Sequence, residues 1–178
     1  MLGLGSCGVL RFSDAAETEA RVLVLNGSDP YLPAYLAIDG AMRARLADDP
    51  ARRIVLFSES LDAQRFPVAA LEAEHLALLA KKYSTLRVDL VVTVTQPALE
   101  FFKQHGGRLW PGARVVYQGF GGEDVGPATL PPHATGVMPP PDVRETIELA
   151  RRMQPDARRI VVIAGASDLD QRYELLAR

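Results

Sequence analysis

The chain is short of cysteine, of histidine and of net charge, and each shortage excludes something. One thiol, Cys7, cannot close an internal disulfide and makes no cysteine-based zinc site. That fits the cytosol, and equally a periplasmic domain that needs no covalent staple. A formal net charge of −2 leaves no basic field to gather nucleic acid. No two of His75, His105 and His133 stand at metal-ligand spacing. His75 reads as a solvated helix residue, His105 as a helix-end residue suited to the dipole, and His133 lies in a connection. No serine sits in a G-x-S-x-G elbow. Asp48-Asp49 and Glu123-Asp124 read as solvated loops rather than acid-base pairs. Internal repeats and low-complexity tracts are missing as well.

The opening "MLGLGSCGVL" places Gly3, Gly5 and Gly8 in a G-x-G-x-x-G pattern. A dinucleotide fingerprint must follow a strand, and only Met1 and Leu2 precede this one. "LGSC" resembles a lipoprotein cleavage site but lacks a basic flank and an apolar run before it. Residues 1–20 are therefore expected to be a leader, either a disordered tail or the remnant of a signal or membrane segment. As it stands, the stretch is too short to span a bilayer.

What is present is a rhythm of 178 residues, 48% of them hydrophobic, enough to bury a core. "RVLVLNG" is a continuous apolar run ending in glycine, as expected of a strand buried on both faces. Tyr35, Ile38, Met42 and Leu46 then recur at helical intervals. "RRIVLFSES" predicts a second strand, and Leu76, Leu79 and Tyr83 mark one face of a second helix. "VDLVVTV" predicts a third strand, "QPALEFFKQHG" a helix with Pro97 in its first turn, and "ARVVYQG" a fourth strand. Alternating strands and helices predict right-handed βαβ units and a parallel sheet, with strand order 2-1-3-4.

The rhythm breaks at Gly119–Pro141, which holds five glycines and six prolines. Connections in compact α/β domains usually run about two to six residues, so this stretch reads as a functional loop, a linker or a crossover. Only "ATGVM" inside it could pair as a short edge strand. Asp142 and Glu145 then stand at capping-box spacing ahead of a helix that buries Val143, Ile147 and Ala150. "RRIVVIAG" predicts a fifth strand.

In open parallel sheets, ligands bind beyond the C-terminal strand ends, where the strand order reverses. The order 2-1-3-4 puts that crevice between the loops after strands one and three. The first loop offers Asn26, Gly27, Ser28 and Asp29, and the second Thr93, Thr95 and Gln96. Ser58, Glu59, Gln118 and Gly119 flank it from strands two and four. These are small polar groups suited to fixing a small ligand by hydrogen bonds, with no evident catalyst. The competing reading is that Ser28, Asp29 and Thr95 merely cap helices. A phosphoacceptor receiver is excluded, because the third strand ends Thr93-Val94-Thr95 and the fifth ends Ala164-Gly165. A flavin phosphate loop is disfavoured by the two prolines of "NGSDPYLP".

Three stretches carry a resemblance: "SESLDAQRF" at 58–66, "VDLVVTVTQPALEFFKQHGGRLWPGARVVYQGF" at 88–120 and "TGVMPPPDVRETIELARRMQPDARRIVVIAGAS" at 135–167. Together they resemble the extracytoplasmic sensor domains of bacterial two-component histidine kinases, of the kind built like ABC-transporter substrate-binding proteins. The pattern Glu59, Leu61-Asp62, Arg65-Phe66 and the run Leu109-Trp110-Pro111-Gly112 look more like the sensor branch. The resemblance covers about residues 21–178 and implies a type I periplasmic-binding-protein clamshell. Residues 21–137 would be a parallel-sheet, Rossmann-like lobe one, and 138–178 the first elements of a lobe two only partly present. Gly165, Ala166 and Ser167 would then form the far wall of the ligand cleft.

The role it implies is solute sensing by hinge closure, with no cofactor, no metal and no catalysis in this chain. The larger protein would sit at the periplasmic face of the inner membrane, as a homodimer, meeting the membrane through other segments. A chain with half a cleft is expected to bind the ligand weakly or not at all. Two alternatives stay open: a free solute-binding protein of an ABC transporter, and a five-stranded flavodoxin-like single domain.

Overall fold

The computed structural model describes residues 18–48, 52–119, 130–131, 133–137, 143–163, 165–166, 170–171 and 174–175. Strand β1 (Thr18–Asn26) leads to helix α1 (Pro33–Ala47) and strand β2 (Arg52–Ser60). A 3-10 turn at Val68–Ala70 precedes helix α2 (Glu72–Lys82), which leads to strand β3 (Leu90–Val94). Helix α3 (Gln96–Leu109), strand β4 (Arg114–Gln118), strand β5 (Thr135–Val137) and helix α4 (Val143–Met153) follow. The five strands form one all-parallel sheet in the order β2-β1-β3-β4-β5. The chain is thus an α/β protein with a Rossmann-like parallel sheet, and the reversal of strand order falls between β1 and β3 as expected.

Alternation along the strands divides the core in two. Leu23, Leu25, Val91 and Val115 point to the side that α2 and α3 cover, where Leu79, Tyr83, Phe101 and Phe102 meet them. Val22, Val24, Val92 and Val94 point to the other side, where Tyr35 of α1 packs with Ile38 and Met42 at its edge. Tyr35, Ile38 and Met42 of α1 and Leu76, Leu79 and Tyr83 from α2 and its end therefore do pack into the core, whereas Leu46 belongs to neither cluster. Asp89 fixes the register at the entry of the sheet. Its amide donates to the Arg21 carbonyl at 2.9 Å, and its carboxylate accepts from the Arg21 amide at 3.0 Å.

Several expectations need correction. The sheet begins at Thr18, three residues earlier than predicted, because Glu19 pairs in register with Arg53 and binds Arg21 and Arg53 as ions. The second helix, expected from the sequence over "PVAALEAEHLALLAKKYSTL" at 67–86, runs only from Glu72 to Lys82, after the 3-10 turn. The larger correction concerns the fifth strand. The edge beside β4 is held by Thr135–Val137, the short strand foreseen in "ATGVM" and the last strand expected of lobe one. Residues 159–163 form no strand, and Ile163 is 92% exposed. A strand exists only through a hydrogen-bonding neighbour, and an apolar run alone does not supply one. Helix α4 likewise has no buried residue, although its apolar positions are strongly segregated onto one side. The predicted cap Asp142 lies outside the described residues. No described helix is long and apolar enough to cross a membrane.

Candidate functional site

The C-terminal ends of β1, β2, β3 and β4 lie side by side and gather a set of polar residues where the open-sheet rule places a crevice. Gly27 allows a close approach there. Its amide donates to the Val94 carbonyl at 2.9 Å, and a Cβ there would stand 2.3 Å from Thr95 Oγ1 and 2.9 Å from the Ala98 nitrogen. Only a residue without a side chain lets the loop after β1 lie against the first turn of α3. Ser28 is consequently 5% exposed although it sits in a loop.

The loop after β2 folds over the same end. The Leu61 amide donates to the Asn26 carbonyl, and the Ala63 amide to the Gly27 carbonyl, each at 2.8 Å. Asn26, 8% exposed, donates from Nδ2 to Ser58 Oγ and to the Glu59 carbonyl, each at 3.3 Å. Ser60 Oγ donates to the Ser28 carbonyl at 3.0 Å. Ser60 was not among the predicted residues. Strand alternation puts it on the same side as Ser58, and that signal was available. On the rim, Arg65 binds Asp62 at 2.8 Å and reaches Asp29 at 3.9 Å. Tyr31 and Phe66 project from the same loops, largely exposed.

The sharpest feature lies after β3. Thr95 has φ 78° and ψ 161°, a region that β-branched residues avoid and glycine alone occupies freely. It occupies the N-cap position of α3, yet its hydroxyl makes no capping bond. Thr93 Oγ1, Thr95 Oγ1 and Gln118 Oε1 are buried without a hydrogen-bond partner among the described residues. The capping alternative therefore fails. Leu32, not Ser28 or Asp29, holds the N-cap position of α1, and Asp29 Oδ1 accepts instead from the Tyr31 amide at 2.9 Å. The strain at Thr95 and these three unmet polar atoms, each costing about 1–3 kcal/mol, lie at the C-terminal ends of β3 and β4.

The structure brings together Asn26, Gly27, Ser28, Asp29, Ser58, Thr95 and Gln118 at this end of the sheet. The Gly119 amide is used by the Val137 carbonyl at 3.1 Å, which joins β5 to the sheet. Glu59 is a correction. It lies on the α2 side of β2, where its carboxylate pairs with Lys82 and accepts from the Tyr83 hydroxyl at 2.8 Å. Burial, reinforced by that carboxylate, pushes the Tyr83 phenol above its ordinary value. Gly165 and Ala166 are exposed, with Gly165 against Asp170. Ser167 lies outside the described residues.

The histidines serve elsewhere. His105 is inside α3 rather than at its end, with Nε2 2.5 Å from Glu72 Oε1 and its ring 4.9 Å from that of Phe101. His75 meets Phe101 from α2. Among the described residues, no three His, Cys, Asp or Glu side chains group as metal ligands.

No protein-family model, curated protein or solved structure matches this chain. What it does must therefore be argued from the crevice itself.

Proposed function

We propose that the chain is the solute-binding lobe of an extracytoplasmic sensor of the two-component class, built like the substrate-binding proteins of ABC transporters. One observation carries the reading. The C-terminal ends of β3 and β4 hold a strained Thr95 and the unmet polar atoms of Thr95 and Gln118, beside the buried Asn26 and Ser28. A small solute supplying hydrogen bonds at this point would offset those costs, so binding would be coupled to the geometry of the loops. The uncovered apolar positions of α4 and of Ile160–Ile163 support a second lobe packing on them. Closure of that lobe would follow from ligand contacts made only in the closed form. The site then needs no nucleophile and no metal, only directional donors and acceptors.

The test is an amide-resolved magnetic resonance titration of the whole chain with small solutes: amino acids, sugars, short carboxylic acids and aryl acids. Saturable shifts are expected at Gly27, Ser28, Thr95 and Gln96 with at least one class. They should fade in Asn26→Ala, which releases Ser58 and the Glu59 carbonyl. No shift with any class, or shifts unchanged in Asn26→Ala, would overturn the proposal.

A further inference from the structure

A second recess lies away from the crevice, where the outer side of α2 meets the end of α3 and the entry to β3. It is a groove of about 1000 Å³. Ala73, Ala77 and Ala80 stand at helical spacing along one wall, all exposed, and Leu86, Leu109 and Trp110 contribute to the rest. Only two lining residues carry charge, Arg87 and Arg108, and both are cationic. Arg87 is already paired, with Nε 3.0 Å from Asp89 Oδ1. Arg108 has no ion-pair partner among the described residues. The Tyr83 hydroxyl is held by Glu59, and Ser84 Oγ donates to the Lys81 carbonyl at 3.0 Å. Trp110 is 2% exposed, and its indole N–H has no partner among the described residues.

Among the described residues, the one unpaired charge of this groove is thus a cation, Arg108, on a largely apolar surface that also carries the Thr85 hydroxyl. We infer that it is a binding site for a monocarboxylate with a medium-length hydrocarbon body. The carboxylate is held at the Arg108 end, where a charge-assisted hydrogen bond to the guanidinium gives direction. The hydrocarbon lies along the alanine wall of α2 and over Leu86 and Leu109, and leaves water in doing so. Small side chains on α2 give the body room that leucine or phenylalanine would fill. The inference is independent of the solute crevice, which uses other residues at the opposite ends of the strands.

Trp110 is the chain's single tryptophan and lines the groove, so its emission reports occupancy directly. The probe is decanoate, titrated below its micelle-forming concentration into the whole chain. A saturable emission change is expected, with affinity rising about fourfold for each added methylene. Arg108→Gln should weaken it about tenfold, and decanol, with the same body and no charge, should bind weaker by a similar factor. Ala77→Phe should abolish the saturable change while leaving the circular dichroism spectrum intact. Ala80→Leu provides the same block should Ala77→Phe fail to fold. A linear, unsaturable response, equal binding of decanol, or decanoate binding undiminished in the blocked variant would each overturn the inference.

Discussion

Phe101→Ala is expected to lower the stability of the fold by about 3–5 kcal/mol, the largest effect of any single truncation considered for this chain. Phe101 is 2% exposed and belongs to the core that α2 and α3 close over the sheet. Its ring meets His105 on its own helix and His75 on α2, so it joins two helices as well as seating one. Removing it leaves a cavity in a close-packed core that can relax only in part. A domain of this size has only about 5–15 kcal/mol in total, so much of the margin would go. Urea unfolding should show a lower midpoint at unchanged slope. A loss under about 1 kcal/mol would mean that α3 is not seated on the sheet as described, since surface truncations cost that little.

Gly27→Val is the second large effect. The new Cβ would fall within 2.3 Å of Thr95 Oγ1 and 2.9 Å of the Ala98 backbone nitrogen. The threonine hydroxyl can turn aside, but the helix backbone cannot. Overpacking of this kind costs about 1–3 kcal/mol and sometimes more. The clash would also push the loop after β1 off the first turn of α3, opening the crevice. The variant should therefore melt at a lower temperature and lose solute-dependent shifts at Ser28 and Gln96 together. Gly40, by contrast, has open space around it, and Gly40→Ala should leave the crevice untouched. Equal behaviour of the two glycine variants would contradict the close approach.

Much of the architecture was legible in the residues, for physical reasons that can be named. Short apolar runs rich in Val and Leu, such as "RVLVLN" and "LVVTV", favour strands covered on both faces, and the helices between them carry apolar positions at helical spacing. Alternation of the two element types implies the parallel sheet. What failed was the run at 160–163. Periodicity records whether a segment is apolar, not whether another strand lies beside it. The short "TGV" filled the edge because it reaches β4 through the Gly119 amide, while the more strongly apolar run did not.

The site was half legible. The types at positions 26–29 and 93–96 follow from the rule for open sheets. Glu59 was misplaced, although its alternation with Phe57 assigns it to the α2 side. The need for glycine at position 27 was hidden, because it depends on a helix start that lies about seventy residues along the chain and becomes a neighbour only through β-pairing. The strain at Thr95 was hidden too. Nothing in "VTVTQPA" announces a backbone angle that threonine disfavours, and local reading favours an ordinary cap.

That strain is the center of the functional account, and Thr95→Gly tests it most directly. Relief of the positive φ should return about 1–3 kcal/mol, and the added chain freedom of glycine should take back about 1 kcal/mol. The net expectation is a melting temperature higher by a few degrees, together with weaker solute-dependent shifts at Gly27 and Gln96. Stability and binding should therefore move in opposite directions in one variant. A melting temperature that falls, or solute binding retained in full, would contradict the account.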